Sequence, residues 1–256
     1  MEITTGQVDL WWVQPEQVQD PNLLAAYREL LNDHETARMQ RFLFERHRHT
    51  YLVAHALVRT TLSHYAALAP DAWRFIFNKH GRPDIDPAHG CGTLQFNLTH
   101  TNDLAVVAVA RSDVGVDPED VTRRSSTIRV AEHFFAPDEV TQLHGMQDAA
   151  MTSRFFDFWT LKEAYIKARG MGLALPLHAF SYDLRRLPEI TIGFRPPIED
   201  VPVQWRQVLF SPNPRHRIAV AMKVEPAAHM RVLGYHVTPT QTPERVYSQD
   251  VPPPAR

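Results

Sequence analysis

Cysteine is almost absent from this chain. Cys91 is the single one in 256 residues, so no intrachain disulfide can form, a paired-cysteine metal site is excluded, and a reducing compartment is the expected setting. An excess of charge of one sign is lacking as well. Lys and Arg number 27 against 29 Asp and Glu, a net charge of −2, which is not the field of a nucleic-acid binder. Any site for an anionic ligand must therefore be local. Long apolar runs are missing too: LAVVAVA at 104–110 falls far short of the roughly 18 residues of a membrane span and reads as a buried strand. The opening MEITTGQVDLWWVQPEQ has no basic stretch and no long apolar core, so a signal peptide is not expected and a cytoplasmic location is. There is no HExxH, which argues against a zinc enzyme.

What is present is an ordinary globular balance, 44% hydrophobic and 22% charged, in a length that suits one large domain or two small ones. VDLWWV (8–13) reads as a first strand, and 20–31 as a helix capped by Asp20 with Pro21 in its first turn. From 34 into the sixties the apolar spacing is helical, with a bend expected near 46–48. WRFIFN (73–78) alternates like a strand, KHGRPDID is a turn-rich loop, and LQFNL (94–98) with LAVVAVA makes a hairpin through THTND. VGVD (114–117) is a short strand; helical segments follow over 127–146 and 152–169, the last stopped by Gly170. Five strand-like segments come next, ending in MRVLGYHV, and the Pro-rich, polar stretch 238–256 is expected to be a disordered tail. The order predicts an α+β fold of two α/β subdomains, 1–112 and 113–237.

Four stretches could carry chemistry. In VGVDPED, Asp117 and Glu119 share parity, so an extended backbone points both to one side, where they repel unless a cation such as Mg²⁺ lies between them. A solvated acidic turn is the plain alternative. In FFDFWTLKEAYIKARGMGL, Trp159, Glu163 and Lys167 fall at i, i+4 and i+8 on one stripe: a surface ion pair on its own terms, or part of a site if the face is covered. His100, beside Thr99, opens the hairpin turn, and a lone turn histidine is usually inert. Gly81, Arg82 and Pro83 combine a free backbone, a cation and a stiffener in what is otherwise a generic loop.

Taken in order, the GRP loop, NLTH, GVDxE, FFxxxE and WxxKEAxxK followed by GxGL resemble the 4′-phosphopantetheinyl transferases of the monomeric, surfactin-synthetase-activating type, from about Arg38 to Ser181. The resemblance implies two similar α/β halves related by a pseudo-twofold, with coenzyme A in the cleft between them. It implies transfer of the 4′-phosphopantetheine arm of coenzyme A to a serine of an apo acyl or peptidyl carrier protein, with release of 3′,5′-ADP. By the same resemblance Asp117, Glu119 and Glu163 hold Mg²⁺ (or Mn²⁺), Glu163 and Asp117 act in catalysis, and Lys167 binds the α-phosphate and steadies the leaving group. Thr99 and His100 fall where the family contacts the 3′-phosphate, and Gly81, Arg82 and Pro83 where it borders the adenine, with Arg82 in place of the usual lysine. Arg41, Phe42, Leu52 and Arg59 fit the family's first helical region. His47 and Thr50 depart from it, leaving Arg38 or Arg48 to supply the missing phosphate contact. Arg123, Arg124 and Arg129 form a basic segment suited to an acidic carrier surface. Neither nucleic acid nor membrane is an expected partner, and a monomer is expected. A non-catalytic binder of coenzyme A or of carrier domains, or a Mg²⁺-dependent phosphodiester hydrolase, remains the alternative.

Overall fold

The structure, a computed structural model, describes residues 1–101, 103–123 and 127–253. The chain opens with β1 (Gln7–Val13), α1 (Pro21–Leu30), α2 (Asp33–Gln40), α3 (Glu45–Leu62), β2 (Phe75–Phe77), β3 (Pro83–Ile85), β4 (Gln95–Thr101) and β5 (Leu104–Ala110). It continues with β6 (Val114–Asp120), α4 (Thr127–Phe134), α5 (Pro137–His144), α6 (Asp148–Arg169), β7 (Phe180–Asp183), β8 (Thr191–Phe194), β9 (Trp205–Asn213) and β10 (His216–Lys223). It closes with β11 (Met230–His236) and β12 (Glu244–Val251). The fold is α+β, and the chain divides into two compact units, Met1–Ser112 with Arg231–Gln249, and Asp113–Met230 with the residues from Asp250 onward.

The first unit is built on a five-stranded sheet in the order β12-β11-β1-β5-β4. β1 runs parallel to β11 and antiparallel to β5, so β1 and β5 are interior strands, and every residue of both is buried. That is why LAVVAVA carries no polar alternation. α3 packs across β1, β4 and β5 and joins a core that includes Trp11, Leu57, Val107 and Tyr235. Its neighbour α1 starts as expected, with Asp20 accepting from the Asn22 N–H and Pro21 in the first turn.

The second unit repeats the plan with a three-stranded antiparallel sheet, β6-β10-β9, crossed by α6 on β6 and β10. Pro118, opposite Ile218, is tolerated because β6 is an edge strand with one side free of ladder bonds. α6 stops at Gly170, whose φ of 61° is the left-handed cap that glycine adopts without strain. No helix among the described residues is long and apolar enough to cross a membrane.

Several boundaries differ from the sequence reading. The stretch expected to be a disordered tail contains β12, the edge strand of the first sheet, and MRVLGYHV is β11 of that same sheet rather than a strand of the second unit. The bend expected near 46–48 falls earlier, in the turn between α2 and α3, because the capping box of Asn32 and Glu35 starts a separate short helix. Part of the turn-rich loop, Pro83–Ile85, is a strand paired with Phe75–Phe77. β4 runs on to Thr101, so His100 lies in the strand opposite Ala105. β6 likewise runs through Pro118 to Asp120.

Candidate active site

A glycine decides how closely β6 and α6 approach. A Cβ at Gly115 would lie 2.1 Å from the Ala164 carbonyl oxygen and 2.3 Å from the Ala168 nitrogen, so strand backbone rests on helix backbone. Ala164 and Ala168, one turn apart, leave the shallow groove that makes this possible. Their sequence neighbours Glu163 and Lys167, also one turn apart, are thereby brought beside the strand. Two residues beyond Gly115 and on the same side, Asp117 meets Lys167, with Oδ1 2.5 Å from Nζ. Asp117 is 5% exposed, and its Oδ2 is buried with no hydrogen-bond partner. Glu119, again on that side, accepts a hydrogen bond from the Trp159 side chain and has Arg123 Nη1 3.7 Å from its Oε2. Trp159 in turn stacks on Phe155 with centroids 5.9 Å apart. The stripe therefore does more than pack: Trp159 steadies one acid while Glu163 and Lys167 stand next to another.

The carboxyls are held unfavourably for charge. Burial and the negative Asp117 push Glu119 up to about 7, against Arg123, Lys167 and the Trp159 hydrogen bond. Glu163 is raised for the same two reasons, against Lys167. Asp117 is raised by burial, which outweighs the Lys167 ammonium. Three acids against Lys167 and the more exposed Arg123 still form a site short of positive charge, and hard carboxylate oxygens with an unsatisfied Oδ2 suit a cation such as Mg²⁺. As they stand, the described residues bring no three such groups close enough to enclose an ion.

Behind the stripe, α6 is fixed by groups the sequence reading did not single out. Lys162 is fully buried and donates to Glu139 Oε2 (2.8 Å), to the Leu177 carbonyl (2.8 Å) and to the Phe180 carbonyl (2.7 Å). Glu139 also accepts from the Ala136 and Tyr182 N–H groups, so the pair is saturated and ties α5, α6 and β7 together. Asp157, one helical turn and two residues before Glu163, pairs with Arg217, the residue opposite Glu119 in the β6–β10 ladder. The signal for Lys162 was its place on the buried face of an otherwise regular helix; a glycine inside a strand pattern was the signal for Gly115.

The first unit holds a second candidate region, a cavity of about 220 Å³ between α2, α3, the β2–β3 hairpin and β4. Of the sequence-derived residues, Arg38, Phe42, Gly81, Pro83 and His100 line it. Gly81 takes φ 83°, the left-handed turn that lets the hairpin reverse. Arg41, Arg48, Arg82 and Thr99 are not among its described walls. Arg41 is an exposed cap of α2, Arg48 donates to the Phe42 carbonyl, and Arg82 faces Asp84 and Gln95. Thr99 is buried on the side of the strand opposite His100. Glu35 and His55, which the sequence reading passed over, do line the cavity. Burial raises Glu35, but His55 and the buried Arg59 prevail and hold it down at about 2. Arg129 is exposed on α4, and Arg124 lies outside the described residues.

Comparison with known proteins settles what these two regions belong to. Residues 113–221 match a family described as the 4′-phosphopantetheinyl transferase superfamily, and residues 16–112 match one described as 4′-phosphopantetheinyl transferase, N-terminal. The 4′-phosphopantetheinyl transferase HetI of Nostoc sp. is 33% identical over 201 residues, 77% of this chain and 78% of that protein. The chain belongs to the 4′-phosphopantetheinyl transferases. Other relatives are psf-1 of Bacillus pumilus, 27% identical over 86% of this chain and 93% of its own length, and Sfp of Bacillus subtilis, 27% identical over 65% of this chain and 72% of its own. The Sfp-type resemblance read from the motifs is thus borne out, and the acidic strand and its helix lie inside the superfamily match.

Proposed function

We propose that the chain transfers the 4′-phosphopantetheine arm of coenzyme A to a serine hydroxyl of an apo acyl or peptidyl carrier protein, with Mg²⁺ and with 3′,5′-ADP as the second product. The observation that carries this reading is the contact of Lys167 Nζ with Asp117 Oδ1 at 2.5 Å, beside a buried unsatisfied Oδ2 and two further acids of raised pKa. Such a set suits a bridging pyrophosphate and its counter-ion better than it suits an inert surface.

Asp117, Glu119 and Glu163 would hold Mg²⁺, or Mn²⁺ by the same oxygen chemistry, which when bound offsets the charge of the coenzyme A pyrophosphate. The serine Oγ forms a bond to the phosphorus on the pantetheine side as the anhydride P–O bond breaks, and the electron pair leaves on the phosphate of 3′,5′-ADP. Glu163, on the face of α6 beside Asp117, is assigned as the group that accepts the serine proton. Lys167 donates to the phosphate that departs and limits its growing charge. By the resemblance, Arg38 and His100 are assigned to the 3′-phosphate, and Gly81 and Pro83 to the adenine border. Arg41, Arg48, Arg82 and Thr99, which are not among the cavity's described walls, are kept as coenzyme A contacts on the resemblance alone. Arg129 and Arg123 would attract the acidic side of a carrier. A monomer in the cytoplasm is the setting this reading favours.

The test is mass spectrometry of an apo carrier protein after incubation with the chain, coenzyme A and Mg²⁺, with Glu163→Gln alongside. The expected result is a gain of one phosphopantetheine arm that disappears without Mg²⁺ and slows by about 10²–10⁴-fold in the variant. Coenzyme A that binds but never moves its arm to several carriers would make the chain a binding protein. Coenzyme A consumed without any carrier would make it a hydrolase.

A further inference from the structure

The turn between α2 and α3 puts apolar side chains into water next to a concentration of positive charge. Leu43 is 81% exposed, the most exposed large hydrophobic among the described residues, and Phe44 beside it is 50% exposed. From Arg38 to His49 the chain has four arginines and one acid, Glu45, which is itself paired with Arg48 at 3.1 Å. Arg46 sits over the Phe44 ring at 4.8 Å, and His47 meets that ring edge-on at 5.6 Å. The turn is anchored from behind. Arg48 Nε donates to the Phe42 carbonyl at 2.9 Å, and Phe42 packs against Tyr51 while lining the first unit's cavity.

We propose that Leu43, Phe44 and Arg46 form a docking surface for the carrier protein, engaging an apolar spot framed by carboxylates at the rim of the cavity assigned to coenzyme A. The proposal rests on the transfer reading above and names a contact separate from the Arg123–Arg129 segment. An exposed aromatic and an arginine on a rigid turn have the composition of an interface anchor, and the surrounding arginines would speed the encounter with an acidic partner. An anionic membrane shares the charge preference, but it is gripped by a long amphipathic helix face rather than by two side chains on a turn. α3 offers no such face, since its residues from Tyr51 to Leu62 are buried except His55.

The experiment compares wild type with the double variant Leu43→Ser/Phe44→Ser and with Arg46→Glu. Arm transfer is measured first with the carrier varied and coenzyme A saturating, then the reverse. The proposal expects kcat/KM for the carrier to fall about 10- to 100-fold in the double variant, the scale of a lost interface anchor. KM for coenzyme A should stay within about twofold, and unfolding midpoints should stay close to wild type because Leu43 faces water and Phe44 is half-exposed. Carrier kinetics unchanged in the variants, with wild type active, would overturn the docking surface while leaving the transfer reading intact. Wild type that moves no arm to any carrier would sink both. Sedimentation of wild type with phosphatidylserine vesicles, lost in the double variant while carrier kinetics are retained, would hand the patch to a membrane instead.

Discussion

Single atoms decide whether the acidic strand can reach its helix. At Gly115 an added methyl would have to displace the Ala164 carbonyl, from which it would stand 2.1 Å, or push α6 away from β6. Overpacking against backbone typically costs about 1–3 kcal/mol, and here the carbonyl cannot turn aside without breaking the helix. Gly115→Ala should therefore lower the thermal midpoint by several degrees and reduce transfer more than unfolding alone explains, because Asp117 would be carried away from Lys167. A variant that keeps the wild-type midpoint and rate would show that the helix can slide. Lys162 makes the opposite kind of demand. Lys162→Met leaves Glu139 buried without its cation, which is expected to cost about 3–5 kcal/mol, partly relieved as Glu139 takes up a proton. Denaturant unfolding checks it. The double variant Lys162→Met/Glu139→Gln should be less destabilised than the single one, since no unpaired charge remains and the glutamine can still accept a backbone N–H.

At the scale of elements, α2 is joined to α3 by one ion-paired carboxylate. Glu35 is the third residue of α2 and closes its capping box, returning its side chain to the Asn32 N–H, and it also meets Arg59 and His55 of α3. Arg59 extends the link to the carbonyls of Pro70 and Trp73, so the start of the second strand depends on it as well. The carboxyl titrates at about 2 in the folded chain against an ordinary 4.5. The unfolded chain therefore binds a proton first as acid is added. Stability from this group is fully present above about 4.5 and is lost as pH falls toward 2, by an amount on the order of 3 kcal/mol. Glu35→Gln should lower the unfolding midpoint at neutral pH and flatten its decline between pH 5 and 2, as followed by circular dichroism. An unaltered acid slope would place the titration elsewhere. The same element shows why part of the site was hidden in the sequence. N-x-x-E is a readable helix start, but only the folded packing of α2 on α3 turns its glutamate toward a cavity.

For the whole molecule, what could be read in advance was what short-range physics encodes. Asp20 and Pro21 start a helix, Gly170 ends one, and LAVVAVA is buried on both faces because it is an interior strand. The acidic pair was legible from strand parity and the Glu163–Lys167 row from helical spacing, yet their meeting depends on Gly115 and two alanines, which periodicity does not weigh. Long-range pairing was out of reach. β1 takes as its parallel neighbour a strand more than two hundred residues later, and no local pattern announces that. The error over the C-terminal stretch has the same origin: TPTQTPERVYSQDV looks unstructured by composition, and its hydrogen-bonding partner is elsewhere in the sheet. In the fold its backbone is used at two places. The Pro239 carbonyl accepts from the buried Tyr27 hydroxyl at 2.7 Å, and Tyr247 packs where Gly234 has no side chain, a Cβ there falling 2.8 Å from the Tyr247 Cβ and 2.7 Å from Trp12. Ending the chain after Pro243 should thus expose Trp12 and a bare β11 edge. We expect a loss of about 1–3 kcal/mol and a midpoint lower by several degrees, with a greater tendency to associate through the uncovered strand. Differential scanning calorimetry with light scattering reads both, and a truncated chain that melts and scatters like the full one would return these residues to the disordered tail that their composition suggests.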